Sequence, residues 1–355
     1  MNHETLTRIL DLARWAPSGD NTQPWRFAVI DDTHVRVFGN DTRDHILYDF
    51  DGHASHLAHG ALLETIRIAA TGFGLRCSWQ ITTDEQQRAP IYDIRFLSDA
   101  TVAKSPLLDQ IERRVVQRRP MKTLPLTPEQ RAALLEAGGS DVRVQLFEGW
   151  AGRWAVAQLL WKSAKIRLTC KEAYAVHRDI IEWRARFSED RIPAEAVGVD
   201  PVTARLMEWA MASWERVHFM NRFLGGTIAP RIQLDLLPAL LCAAHVLVRP
   251  MQTPSQLEDW IRLGATWQRI WLTATQHGLH MQPELTPVIF RWYARSGQTF
   301  SADPALSARA GVLSSEFERL AGAATSDPFG FFCRVGTSVE PRSRSIRKNL
   351  RDLMR

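Results

Sequence analysis

Residues 16 to 25 of the chain read Ala-Pro-Ser-Gly-Asp-Asn-Thr-Gln-Pro-Trp. They follow a short amphipathic stretch carrying Leu6, Ile9, Leu10 and Ala13, and they precede Arg26-Phe27-Ala28-Val29-Ile30, which reads as a strand. Pro17 predicts the end of helical backbone, because a residue before proline is pushed out of the α region. Gly19, Asp20 and Asn21 bring turn chemistry, with side-chain oxygens and free backbone N–H groups meeting in a small space. A helix-to-strand loop of this kind can hydrogen-bond the polar edge of a flat heterocycle.

At 355 residues the chain has room for two domains or one large one. Its apolar fraction of 45% and charged fraction of 23% are those of an ordinary globular protein. No basic–apolar–small pattern opens the sequence, and the longest apolar run, Leu236 to Val248, is broken by His245 and too short to span a bilayer. That run reads as a buried strand, with the strand proper at 239–248. Cys77, Cys170, Cys242 and Cys333 lie far apart, without metal or redox spacing. The expectation is reduced, buried thiols in a cytoplasmic protein. The net charge of +5 is modest, and much of the excess sits in the tail at Arg342, Arg344, Arg347, Lys348, Arg351 and Arg355. Such a tail suits a solvated helix, a phosphate clamp or a nucleic-acid patch.

The pattern occurs twice. In the first half, strands at 26–30 and 35–38 form a hairpin. A helix over 58–71 closes at Gly72-Phe73-Gly74, and two alternating strands follow around Cys77–Ile81 and Tyr92–Phe96. The second half begins near Leu107 with an arginine-rich helical turn. Thr127 as N-cap and Pro128 at the first helical position start a helix, Gly138-Gly139 ends it, and Val142, Val144 and Leu146 mark the next strand. Here the loop has shrunk to Gly139-Ser140-Asp141, which cannot reproduce the chemistry of 17–25.

Residues 150 to 230 read as helical, without strand pattern, and as a candidate lid: helices over 172–183 and 202–216 flank an acidic link containing Pro193. The chain's 13 tryptophans are dense from Trp150 to Trp292, where they either pack or shape a pocket with flat surfaces. A long helix then carries Leu257, Trp260, Ile261, Trp267, Ile270, Trp271 and Ala274 on one stripe. Thr253 and Gln256 have capping-box spacing at its start. Gly278-Leu279 and a proline loop through Gln282 and Pro283 follow it, then a strand at 331–336.

The decapeptide at 16–25 closely resembles the Ala-Pro-Ser-x-x-Asn-x-Gln-Pro-Trp signature of the nitroreductase superfamily, whose members bind FMN at a subunit interface. Arg114 and Arg118 resemble the family's Arg-x-Ser-x-Arg/Lys start motif, with Val116 where serine is usual, so one hydroxyl contact is missing. Pro341-Arg342-Ser343-Arg344 resembles the basic element that closes the family's phosphate pocket. In the homodimeric family the loop and the basic elements come from different subunits. This chain has the loop in its first half and the basic elements in its second. It is therefore similar to double-module nitroreductase-like proteins, including flavin-sequestering actinobacterial stress proteins and modules fused to adenylating enzymes.

The resemblance implies an α+β fold of two related modules, at 1–105 and 106–355, built on antiparallel or mixed sheets flanked by helices. The second module carries the insertion at about 150–230. One FMN is expected, with Pro17, Ser18, Gly19 and Asn21 along its ring or ribityl chain and Gln282 or Pro283 near N5. Arg114, Arg118, Arg342 and Arg344 would hold its phosphate, while Trp25 serves as a packing anchor. NADH or NADPH is the expected reductant and a small planar molecule the acceptor, with ping-pong hydride transfer. The alternative is a low-turnover protein that stores FMN. No side chain is needed as acid or base, since flavin delivers hydride. His53, His56 and His59 spread over about 120° of a helix without completing a metal set. No helix-turn-helix or aromatic platform accompanies the basic tail. Neither metal nor nucleic acid is expected, and the chain reads as a monomer or weak homodimer.

Overall fold

The computed structural model describes residues 2–84 and 89–355. The first half runs α1 (His3–Ala13), β1 (Trp25–Asp31), β2 (His34–Gly39), α2 (His53–Thr71), β3 (Leu75–Asp84) and β4 (Ala89–Ser98). The second half opens with α3 (Pro128–Glu136) and β5 (Val142–Glu148). A long, mostly helical segment, expected as the insertion, follows: α4 (Gly149–Thr169), α5 (Lys171–Ile180), and the two-residue strands β6 (Ile181–Glu182), β7 (Phe187–Ser188) and β8 (Ile192–Pro193). It continues through α6 (Pro201–Ala210), α7 (Trp214–Phe223), α8 (Ile228–Arg231) and α9 (Leu237–Leu240). The chain closes with β9 (Ala244–Pro250), α10 (Leu257–Gln276), β10 (His280–Pro283), α11 (Thr286–Ser296), α12 (Pro304–Ala321), β11 (Phe331–Gly336), β12 (Arg344–Ser345) and α13 (Leu350–Leu353).

Among the described residues two four-stranded sheets form, ordered β1-β2-β4-β3 and β5-β9-β11-β10, and every neighbouring pair in both is antiparallel. Taken in chain order, first, second, fourth and third strand lie side by side in each. The chain is thus an α+β protein whose halves share one sheet topology. In each half the second and third strands are joined across a long helix, α2 or α10, that ends at a left-handed glycine, Gly74 or Gly278. These two helices pack on each other at the centre. Leu57 of α2 reaches into the core beneath the second sheet, while Ile261 and Leu272 of α10 reach into the core beneath the first.

Local chemistry explains most boundaries. Asn2 caps α1 by accepting from the Thr5 amide, and Leu6, Ile9, Leu10 and Ala13 are its buried residues. Thr127 and Gln130 complete a capping box on α3, with Pro128 at its first position. At the other end of the chain, Met354 bridges to Phe27 and the Arg355 amide donates to the Phe27 carbonyl, so the tail covers the edge of β1.

Several boundaries differ from the sequence reading. Residues 237–240 are helical and the strand begins at Ala244, because Pro238 sits in the first turn of α9 and does not suit a central strand. The 202–216 helix is two helices, since the Ser213 hydroxyl accepts from the Arg216 amide and restarts the turn. α2 begins at His53, five residues earlier than expected. α10 is capped by Gln256 with Asp259, not by Thr253. The insertion does carry strand: β7 pairs in parallel with β12 of the tail.

Candidate functional site

The loop between α1 and β1 is held in an uncommon backbone shape. Asp20, Asn21 and Gln23 all have positive φ, at 51°, 65° and 50°, a region that costs a non-glycine residue about 1–2 kcal/mol. Packing and hydrogen bonds hold it there. The Gln23 amide donates to the Ser18 hydroxyl at 3.0 Å, and Gln23 Nε2 donates to the carbonyls of Asn21 and Glu189 at 2.9 and 2.8 Å. Asn21 Nδ2 lies within donating distance of the carbonyls of Ile346, Arg191 and Ser188 at 3.1, 3.4 and 3.5 Å. The loop is therefore stitched to both the insertion and the tail. Trp25 is fully buried behind it, as a packing residue.

This loop forms one wall of a cavity of about 590 Å³. Of the residues expected at the site, Pro17, Ser18, Gly19, Asn21, Arg114, Arg118, Gln282, Pro283 and Arg344 all line it. Arg342 does not: it is exposed, and its carbonyl accepts from Arg186 Nε at 2.8 Å. Arg347 lies in the cavity wall instead, buried, three residues past Arg344. Of the basic tail residues only Arg344 and Arg347 line the cavity, while Arg342, Arg351 and Arg355 are exposed.

Arg114 and Arg118 converge for a reason other than the expected helical turn. Their segment is extended, with Val116 bridged in parallel to Met281 and the Gln117 amide donating to the Met281 carbonyl at 3.0 Å. In extended chain, residues four apart point to the same side, as they do on a helix.

The cationic end of the cavity is short of negative charge. Arg114 Nη2 donates to the Trp15 carbonyl at 2.8 Å, and its guanidinium lies 4.5 Å from the centre of the Trp271 ring. Arg347 Nε donates to the Ala16 carbonyl at 3.1 Å. Arg344 Nη2 donates to the Glu112 carbonyl at 3.1 Å, and the guanidinium lies 5.0 Å from the Trp15 ring. Every one of these acceptors is a backbone carbonyl. Burial, then repulsion from Arg347 and Arg344, pulls the Arg114 pKa well down; burial, then Arg344 and Arg14, brings Arg347 to about 9. Burial also lowers Arg118 to about 10 against the pull of Asp20, whose own carboxyl is raised by burial. Among the described residues, four buried polar atoms of the expected site residues have no partner: Arg114 Nε, Arg344 Nε, Asn21 Oδ1 and Gln282 Oε1.

A network the sequence reading missed supports the floor. Arg334 Nη1 donates to Glu284 Oε1 at 2.9 Å, Arg334 Nη2 donates to the Arg118 carbonyl at 2.7 Å, and Glu284 Oε2 lies 2.7 Å from His245 Nδ1. The other His245 nitrogen is 3.0 Å from the Ala239 carbonyl, so both ring nitrogens face acceptors. Burial opposes a charge on His245, but the Glu284 carboxylate overrides it and lifts the imidazolium pKa to about 10. Only the pairing of β9, β11 and β10 brings these three residues together, and no spacing in the sequence marks it.

The insertion roofs the cavity with Ile180, Leu206, Met207, Met211, Met220 and Leu224 among others. Its six tryptophans (Trp150, Trp154, Trp161, Trp183, Trp209 and Trp214) are not in the cavity wall. Among the described residues no group of side chains has the makings of a metal site, and no helix is long and apolar enough to cross a membrane. The four cysteines are free thiols; three are buried and Cys77 is partly exposed.

A helix, a strained polar loop and a strand thus face clustered arginines across one cavity. Residues 1–51, signature loop included, match the family described as the Nitroreductase family. Among solved structures, the chain is similar to a nitroreductase-like family protein from Bacillus cereus at 11% identity, covering 71% of this chain and 95% of that one, with a TM-score of 0.36. An FMN- and NADPH-dependent nitroreductase from sphigopyxis sp. strain HMH gives 13% identity, 71% and 98% coverage and a TM-score of 0.38. A nitroreductase with bound FMN from Desulfitobacterium hafniense gives 16%, 69% and 95%, and 0.37. No curated protein matches the sequence.

Proposed function

We propose that the chain is an FMN-dependent oxidoreductase that takes hydride from a reduced nicotinamide and passes it to a small acceptor. In this reading it is a fused pseudo-dimer, with modules at 1–105 and 106–355 and a single composite flavin site. The observation that carries it is the set of unpartnered polar atoms on residues lining one cavity, beside three arginines satisfied only by carbonyls. A phosphate dianion supplies the negative charge that Arg114, Arg344 and Arg347 lack. Gln282 Oε1 and Asn21 Oδ1 are acceptors suited to the N–H or hydroxyl groups of a flavin. Bound FMN supplies the hydride chemistry; the protein binds, orients and shields it. Solvent supplies protons. Releasing flavin from the denatured protein tests this: one FMN per chain is expected, and two, or none after reconstitution, would overturn it.

A second reading, flavin storage, draws on the roof. Segment 187–193 is tied to Asn21, Gln23 and β12 by backbone acceptors, which favours a closed cover. Anaerobic stopped-flow separates the two. The oxidoreductase reading expects NADH or NADPH to bleach the flavin absorbance rapidly; bleaching by dithionite alone would support storage.

A further inference from the structure

The roof end of the cavity has its own chemistry. Tyr48, from the loop before α2, and His177, from α5, both line the wall, stacked and joined by a 2.9 Å hydrogen bond between Tyr48 Oη and His177 Nε2. Burial pushes the Tyr48 hydroxyl up and brings His177 down to about 3, so the pair is neutral. Beside it, Arg167 Nη2 donates to both Asp235 oxygens at 3.0 and 3.2 Å, so the cation in this wall is already matched by a carboxylate. Most of the rest of the roof is aliphatic or thioether, with the neutral side chains of Ser163, Thr203 and Asn221 among it, and among the described residues its one aromatic ring is the His177 imidazole. Trp209, Phe219 and Phe223 are left outside, at 49%, 51% and 64% exposure.

A neutral polar pair in a mostly aliphatic wall, without a free cation, selects a ligand by elimination. A carboxylate or sulfonate would lose its hydration without gaining a free cation. A flat aromatic would find on the roof side only the His177 ring, one face of which Tyr48 already covers, whereas methionines adapt to flexible chains. We propose that the chamber under the insertion binds an uncharged, predominantly aliphatic molecule carrying one carbonyl-type oxygen, anchored on the Tyr48–His177 pair. The flavin reading is needed only to make that molecule the hydride acceptor. Binding does not depend on it.

Calorimetry on the intact, oxidised protein tests the proposal with three probes of equal carbon number: octan-2-one, octanoate and acetophenone. The ketone should bind at least about tenfold more tightly than octanoate. It should also outbind acetophenone after their water-to-octanol transfer difference is subtracted. Tyr48→Phe should weaken octan-2-one about fivefold, the worth of one hydrogen bond, while flavin content stays unchanged. Equal or tighter binding of octanoate or acetophenone overturns the proposal, and so does an unaltered affinity in a folded Tyr48→Phe protein. The ranking in the unmutated protein stands even if the variant fails to fold. Flavin content of the same samples reports separately on the flavin reading.

Discussion

Gly60 of α2 and Gly264 of α10 face each other at the central helix crossing, and the contact is reciprocal. A methyl on Gly60 would run into the Ile261 carbonyl, and one on Gly264 into the Leu57 carbonyl, in each case the residue three before the opposing glycine. The two backbones touch there without side chains between them.

Gly264→Ala is therefore expected to force the helices apart. Overpacking of this kind costs about 1–3 kcal/mol, and the loss should appear as a lower midpoint in urea unfolding. Gly60→Ala should cost a similar amount. The double variant should lose less than the sum, because one displacement relieves both clashes.

At the cationic end, Arg344→Ala and Arg347→Ala should each weaken FMN binding by about tenfold or more, since a charge-assisted contact contributes about 1.5–3 kcal/mol. Riboflavin, which lacks the phosphate, should be affected much less. Arg342→Ala should leave both affinities unchanged, as that side chain lies outside the cavity. Fluorescence titration of the apoprotein with the two flavins reads all three.

Acid should destabilise the fold before most carboxylates titrate. Burial first, then neighbouring charges, holds His53 near about 3 and His56 near about 4, and burial brings His59 to about 4. Unfolded, these imidazoles titrate near about 6.5. Between those values the unfolded chain takes protons that the folded chain refuses, so stability is present above about 6.5 and falls toward about 4. Urea midpoints across this window should decline, and His56→Gln should flatten part of the slope.

The Glu284 network has the opposite sign. With His245 lifted to about 10, its contribution is full below about 6.5 and is lost as pH rises toward about 10. Glu284→Gln should remove this alkaline limb and destabilise by about 3–5 kcal/mol, because Arg334 and His245 lose their shared anion. Unfolding curves at neutral and alkaline pH test both effects.

Asn21→Ala should loosen the roof. Its Nδ2 group is positioned to donate to carbonyls of 188, 191 and 346, and without it the Ile346 amide, which donates to the Ser188 carbonyl at 2.8 Å, should exchange hydrogen faster.

What the sequence made legible was local. The loop at 16–25, the hairpin of β1 and β2, and the capped start of α3 depend on neighbours within a few residues, and each lies where its residues put it. Arg114 and Arg118 share a wall on extended chain and not on a helical turn, and the sequence cannot tell the two apart because period two and period 3.6 coincide at a spacing of four. Arg347 was hidden among several basic tail residues, because the pairing of β12 with β7 decides which of them face inward. The Arg334–Glu284–His245 network and the Tyr48–His177 pair join segments tens of residues apart or more. Only the completed sheet and the roof reveal them.

The cavity draws Asn21, Arg114, Gln282 and Arg347 from a single polypeptide. A site divided between two separate chains dissolves when the protein is diluted below its dimerisation constant, and ligand affinity then varies with protein concentration. Here both walls travel together, held at an effective concentration set by the fold. Such a site keeps its shape in a cell that holds only a few copies of the protein.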